Sequence, residues 1–145
     1  MNINVEITTL TQDEVYAYQF GEILDSNGVR DYDCLVTTWG ADYPDPSANL
    51  EPLYNIANIN AGGYNCAAYY NEELDKLLTQ ANTTVDDSER MDLLFEACDI
   101  IIEEEPYYVY NYTKCFAAFN KNWSLGDMNY TCAWDWNFKD VAYNG

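Results

Sequence analysis

The stretch INVEITTLTQDEVYAYQFGEILDSNGVRDYDCLVTTW, residues 3–39, decides how the chain is read. Residues 3–9 alternate apolar with polar side chains, which places Ile3, Val5 and Ile7 on one face of a strand. Thr11, with Glu14 three residues on, has the form of a capping box and opens a helix whose apolar side carries Val15, Phe20, Ile23 and Leu24. Asn27 and Gly28 supply its stop signal. Residues 33–39, DCLVTTW, follow as a second strand with a continuous apolar centre. Strand, helix and strand in this order predict a βαβ unit with a buried parallel pair, and so an α/β fold class.

The second strand runs into TTWGADYPDP, residues 37–46. In open α/β sheets, ligands bind beyond the carboxyl ends of parallel strands, which is where the βαβ reading puts Trp39 to Asp45. A wide aromatic face, a glycine that lets another backbone approach and an acid in a proline-stiffened loop make a recognition surface. A plain turn, with Asp42 and Asp45 capping local N–H groups, accounts for the same residues. Spacing alone leaves both open.

Downstream, residues 41–70 form a Pro- and Asn-rich connection, with a short helix expected near 50–56. Asn71 is an N-cap for a helix to Ala81, with Leu74, Leu77, Leu78 and Ala81 on one face. A second amphipathic helix starts at Asp87 or Ser88 and ends near Glu104. Met91, Leu94, Phe95, Cys98, Ile101 and Ile102 are its expected inward side. After Pro106, residues 107–113 read as a strand that 115–119 continue, and beyond Asn120 the pattern is irregular. The expectation is one domain over 1–145, with a core over 1–112 and a less regular segment over 113–145.

Composition narrows the function. Twenty-five acidic against six basic residues give a net charge of −19, which repels nucleic acid and anionic membrane surfaces. The chain has no histidine, and its five cysteines are scattered without a CxxC pair. Ser–His and Cys–His nucleophile pairs and a structural zinc site are therefore not expected. A disulfide among Cys66, Cys115 and Cys132 is an option for an exported protein. No run approaches the ~20 apolar residues that span a bilayer, and residues 1–10 lack the order of a signal peptide. Asp42 and Asp45 as an acid and base pair would make a hydrolase, but two loop carboxylates are too common to support one.

WGADYPDP, then YYNEELDKLLTQAN, an acidic Ser-Glu-Arg helix start and EACDIIIEEEPYYVYNY occur in an order and spacing that carry a resemblance. The chain resembles the later part of the family 5 extracellular solute-binding proteins, the peptide-binding components of ABC importers. The likeness runs from about Val5 to Tyr112 and more weakly beyond. It implies part of one lobe of a two-lobed, periplasmic-binding-protein-like (type II) fold. It further implies a monomeric, non-enzymatic receptor without cofactor, extracellular or periplasmic and lipoprotein-anchored at full length, which hands a peptide or other small solute to a membrane permease. By the same resemblance Asp42 takes the ligand α-ammonium, while Trp39, Gly40 and Tyr43 line the pocket and meet the extended peptide backbone. Asp45, between Pro44 and Pro46, is read as stiffening or capping the loop. No basic residue precedes Trp39 in its strand to receive a ligand carboxylate. Relatives that carry oligosaccharides or metal chelates, and a chain that folds but binds nothing by itself, remain the alternatives.

Overall fold

The computed structural model describes residues 3–59, 62–114, 116, 118–125 and 138–145. It is a mixed structure of helices and one small sheet. Helices α1 (Gln12–Gln19), α2 (Ser47–Tyr54), α3 (Glu72–Thr83) and α4 (Asp87–Glu104) come in chain order, with a 3-10 turn at Ile56–Ile59. Strands β1 (Trp123–Ser124) and β2 (Ala142–Tyr143) pair antiparallel, Trp123 opposite Tyr143.

The helix starts follow their capping residues. Thr11 Oγ1 accepts from the Glu14 amide while Glu14 Oε2 accepts from the Thr11 amide at 2.7 Å, the reciprocal capping box expected. Asn71 Oδ1 accepts from the Glu73 and Leu74 amides at 3.0 Å, and Asp86 Oδ1 accepts from Glu89 at 2.9 Å. Helix α1 stops earlier than Asn27-Gly28 would have it. Gly21, at φ +69°, takes the left-handed position of a Schellman end, with Glu22 N donating to Ala17 O at 2.9 Å and Gly21 N to Tyr18 O at 3.1 Å. Asn27-Gly28 belongs instead to a turn organised by Asp25, whose Oδ1 accepts from the Asn27 and Val29 amides.

The core lies between α2, α3 and α4. Leu50, Leu74, Leu78, Ala81, Leu94 and Ala97 form one buried cluster, edged by Tyr54, Tyr69, Leu77 and Met91. Fully burying a leucine such as Leu74 stabilises by about 2 kcal/mol. The face of α4 is narrower than expected: Leu94 and Ala97 turn inward, while Phe95 and Ile102 are exposed. The helices it meets cover only one stripe of it. Asn65 is fully buried and satisfied, its amide donating to Asn55 O and Tyr69 O and its Oδ1 accepting from Tyr69 N.

The parallel pair expected of residues 3–9 and 33–39 is not made. Both segments run without helix or ladder, and no backbone–backbone hydrogen bond joins either to a described residue. Residues 107–113 likewise form no strand, and Cys115 and Ala117 of the expected continuation lie outside the described residues. The fold is α/β only in the broad sense of mixed helix and sheet. Cys66 is a buried free thiol, so it joins no disulfide; Cys115 and Cys132 lie outside the described residues.

Candidate functional site

Segment 33–39 lies along the end of α1, where Thr37 Oγ1 donates to Gln19 Oε1 at 2.7 Å. Trp39 at its end is held on two sides. Its indole N–H donates to Asn49 Oδ1 on α2 at 3.0 Å, and its ring meets Tyr64 edge-on with centroids 5.2 Å apart. Tyr64 in turn meets Phe20 edge-on at 5.2 Å, and Phe20 stacks with Tyr16 at 5.8 Å. Such contacts add of order 1 kcal/mol each to simple burial. The indole is thereby fixed rather than free to swing.

Beyond Trp39 the chain turns into α2 over an open hollow of about 400 Å³ lined by Ala41, Tyr43, Pro44, Asp45, Pro46 and Asn49. Tyr43 Oη lies 3.2 Å from Ser47 Oγ, while half of the ring faces solvent. Asp45 is the organising charge. Its Oδ1 accepts from the Ser47 amide at 2.9 Å, from Ser47 Oγ at 2.6 Å and from Arg90 Nη2 of α4 at 2.6 Å. The Arg90 hydrogen bond, and then those from Ser47, hold the Asp45 carboxyl far below the usual carboxylate range. An acid kept ionised and spent on a helix start and a guanidinium has no proton to donate. Its loop-capping role is the one read from the sequence, but its ion-pair partner is not.

Asp42 sits differently. It is exposed, and no hydrogen bond or ion pair among the described residues engages it. Of the residues singled out from sequence, Tyr43 lines the hollow, Trp39 reaches it through Asn49, and Gly40 and Asp42 do not line it. Asn49 and Arg90 are additions from the structure. Neither had a local signal, because an Asn in a loop-rich segment and one Arg on a long acidic helix are unremarkable alone. Among the described residues no cluster of three or more His, Cys, Asp or Glu could hold a metal ion.

No protein-family model and no solved structure matches the chain. In an alignment of 135 residues that covers 90% of the chain, it is 28% identical to the glutathione-binding protein GsiB of Shigella dysenteriae serotype 1 and to that of Escherichia coli K12. The same holds for the Shigella flexneri protein. The chain spans about a quarter of the length of these relatives, 26% in each case. Their name describes a binding protein and not an enzyme. The resemblance that WGADYPDP and its neighbouring blocks carry is thus matched by a likeness over nearly the whole chain, which is similar to one quarter of these glutathione-binding proteins.

Proposed function

We propose that the chain forms part of the ligand-binding structure of an extracellular or periplasmic solute-binding protein that delivers a peptide-type solute to the permease of an ABC importer. It is one piece of a lobe in a two-lobed receptor, lipoprotein-anchored at full length, and it performs no catalysis. Trp39 and Gly40 meet the ligand's backbone, Tyr43 walls the pocket, and Asp42 pairs with its α-ammonium.

The observation that carries this reading is the division of labour between two neighbouring acids. Asp45 is spent on Arg90 and Ser47, whereas Asp42 stands exposed and, among the described residues, unpaired three residues after an immobilised indole. An unspent carboxylate beside a rigid aromatic wall suits a cationic end group on a ligand held by backbone contacts. Glutathione, which the relatives' name gives as their ligand, is a γ-glutamyl tripeptide with one free α-ammonium and fits this demand.

A chimera in which this chain replaces the matched quarter of Escherichia coli GsiB provides the test, by titration calorimetry with glutathione, short peptides and their N-acetylated forms. Free peptides are expected to bind and acetylated ones to lose most of their affinity. Equal affinity for both would remove Asp42 from the site, and oligosaccharide binding in their place would change the ligand class.

A further inference from the structure

The ring that steadies Trp39 is that of Tyr64, in a loop over residues 62–69 whose central peptide is gripped by two remote tyrosines. Tyr32 Oη donates to Cys66 O at 2.5 Å, and Tyr107 Oη accepts from the Ala67 amide at 3.1 Å. These are the two polar ends of one peptide unit, reached from 34 positions before it and 40 after it. Each tyrosine is itself seated. Tyr107 Oη also donates to Leu53 O near the end of α2 at 3.2 Å, and its ring meets Tyr54 edge-on at 5.3 Å, at the margin of the core. The Tyr32 ring meets Tyr18 of α1 edge-on at 6.3 Å. Burial pushes both phenols up, so both hydroxyls keep their protons near neutral pH.

A peptide unit is planar, with its C=O and N–H on opposite edges, so a partner at each edge fixes the plane. Satisfying polar groups does not require this arrangement. Ala67 is exposed, and water serves such an amide as well as a phenol does. What the two tyrosines add is direction. Cys66 N donates to Tyr64 O at 2.8 Å in a tight turn, which links the orientation of Tyr64 to the peptide plane after Cys66. Ala68, next in the chain, sits at φ +48°, a region that a residue with a Cβ keeps only where its surroundings hold it. Tyr64 is still 42% exposed, while its ring lies edge-on to Phe20 and to Trp39. A half-open ring of this kind takes its direction from the backbone that carries it.

We propose that Tyr32 and Tyr107 are positioning residues: together they lock the Cys66–Ala67 peptide, aim the Tyr64 ring at Trp39 and so preset the indole wall. A wall ordered in advance need not be ordered by the ligand, so the lock acts on affinity. That consequence, unlike the lock itself, rests on the function proposed above.

Nitrogen-15 NMR on the chain reads the lock without any ligand. Trp39→Phe identifies which of the four indole N–H signals belongs to Trp39. Tyr32→Phe and Tyr107→Phe keep the rings and remove the hydroxyls. Each is expected to move the Trp39 indole signal and to speed its solvent exchange about 10-fold, with the amides of α3 and α4 unchanged. Because both hydroxyls hold one peptide, the double variant should exchange less than about 3-fold faster than the stronger single one. Tyr69→Phe, which removes a hydroxyl bonded to Glu104 instead, is the control and should leave the Trp39 signal in place. A Trp39 signal unmoved in both single variants would overturn the proposal. Exchange that quickens equally over α3 and α4, or loss of folding in both variants, would overturn it too, by making the hydroxyls part of general stability. In the chimera with Escherichia coli GsiB the same substitutions should weaken peptide binding about 10-fold in calorimetry. A Trp39 signal that moves while affinity stays constant would leave the lock standing and take Trp39 out of the ligand site, so the two readings fail separately.

Discussion

Arg90 Nη2 on α4 donates to Asp45 Oδ1 at 2.6 Å across 45 positions of sequence, and so ties the loop of the candidate site to the helical core. The same carboxylate accepts from Ser47 at the start of α2, so one charge is shared between that helix and α4. The pair is partly exposed, which limits its worth through solvent screening.

Removing that charge should cost stability in a pH-dependent way. The Asp45 pKa is depressed in the fold, so its contribution is present above the unfolded value of about 3.9 and is lost as pH falls towards the folded one. Asp45→Asn is expected to destabilise by about 1 kcal/mol at pH 7 and by less near pH 3. Urea unfolding at the two pH values measures it, and an equal cost at both would contradict the ion pair.

Asp42→Asn should behave in the opposite manner. With an exposed side chain and no partner among the described residues, the substitution is expected to change stability by less than about 0.5 kcal/mol. In the chimera with Escherichia coli GsiB it should weaken peptide binding by about 2 to 5 kcal/mol through loss of a desolvated ion pair. Unfolding curves and calorimetry on the same variant separate the two effects.

Gly63 tolerates no side chain. A Cβ there would lie 2.1 Å from Asn58 O and 2.6 Å from its carbonyl carbon, which are backbone atoms that cannot swing aside. That backbone is also held by Asn65 N, which donates to Asn58 O at 3.1 Å. Gly63→Ala is expected to cost about 2 to 3 kcal/mol, read as a lower urea midpoint at unchanged slope.

One alkali-sensitive contact is the meeting of α3's start with α4's end. Tyr69 Oη donates to Glu104 Oε2 at 2.7 Å and Asn71 Nδ2 to Glu104 Oε1 at 2.9 Å. Burial first, and then Glu104, push the Tyr69 phenol up to about 12. A raised folded pKa means this stability is whole below the unfolded value of about 10 and is lost as pH climbs from there to about 12. Tyr69→Phe should lower stability at pH 7 by about 1 kcal/mol and flatten that alkaline fall, which thermal scans from pH 8 to 11 would follow.

What was legible in the sequence was local. The capping box at Thr11 and Glu14, the Asn71 cap, the inward leucines of α3 and the span of α4 depend on residues three or four apart, and they form as read. The end of α1 was misplaced because two glycine signals competed, and the nearer one, Gly21, completes a hydrogen-bonded helix end while Gly28 serves a turn. Asp45 was legible as a loop residue from its flanking prolines. Its partner Arg90, and the Asn49 that holds Trp39, were not, since contacts across such separations leave no periodic mark.

Strand pairing shows the same divide. The alternation in 3–9 determined which side chains share a face, and the structure keeps that segment out of any helix. Whether a segment becomes part of a sheet depends on a second backbone arriving alongside it, which no pattern within the segment encodes. Likewise periodicity marked Phe95 and Ile102 as apolar positions of α4, but only the neighbours present decide how wide a stripe is covered. Sequence determined the caps, the helices and the sidedness of each segment because these arise from interactions within a few residues. Tertiary structure decided which faces are buried and which acid meets Arg90, because burial and charge pairing belong to groups that the chain brings together only when it folds.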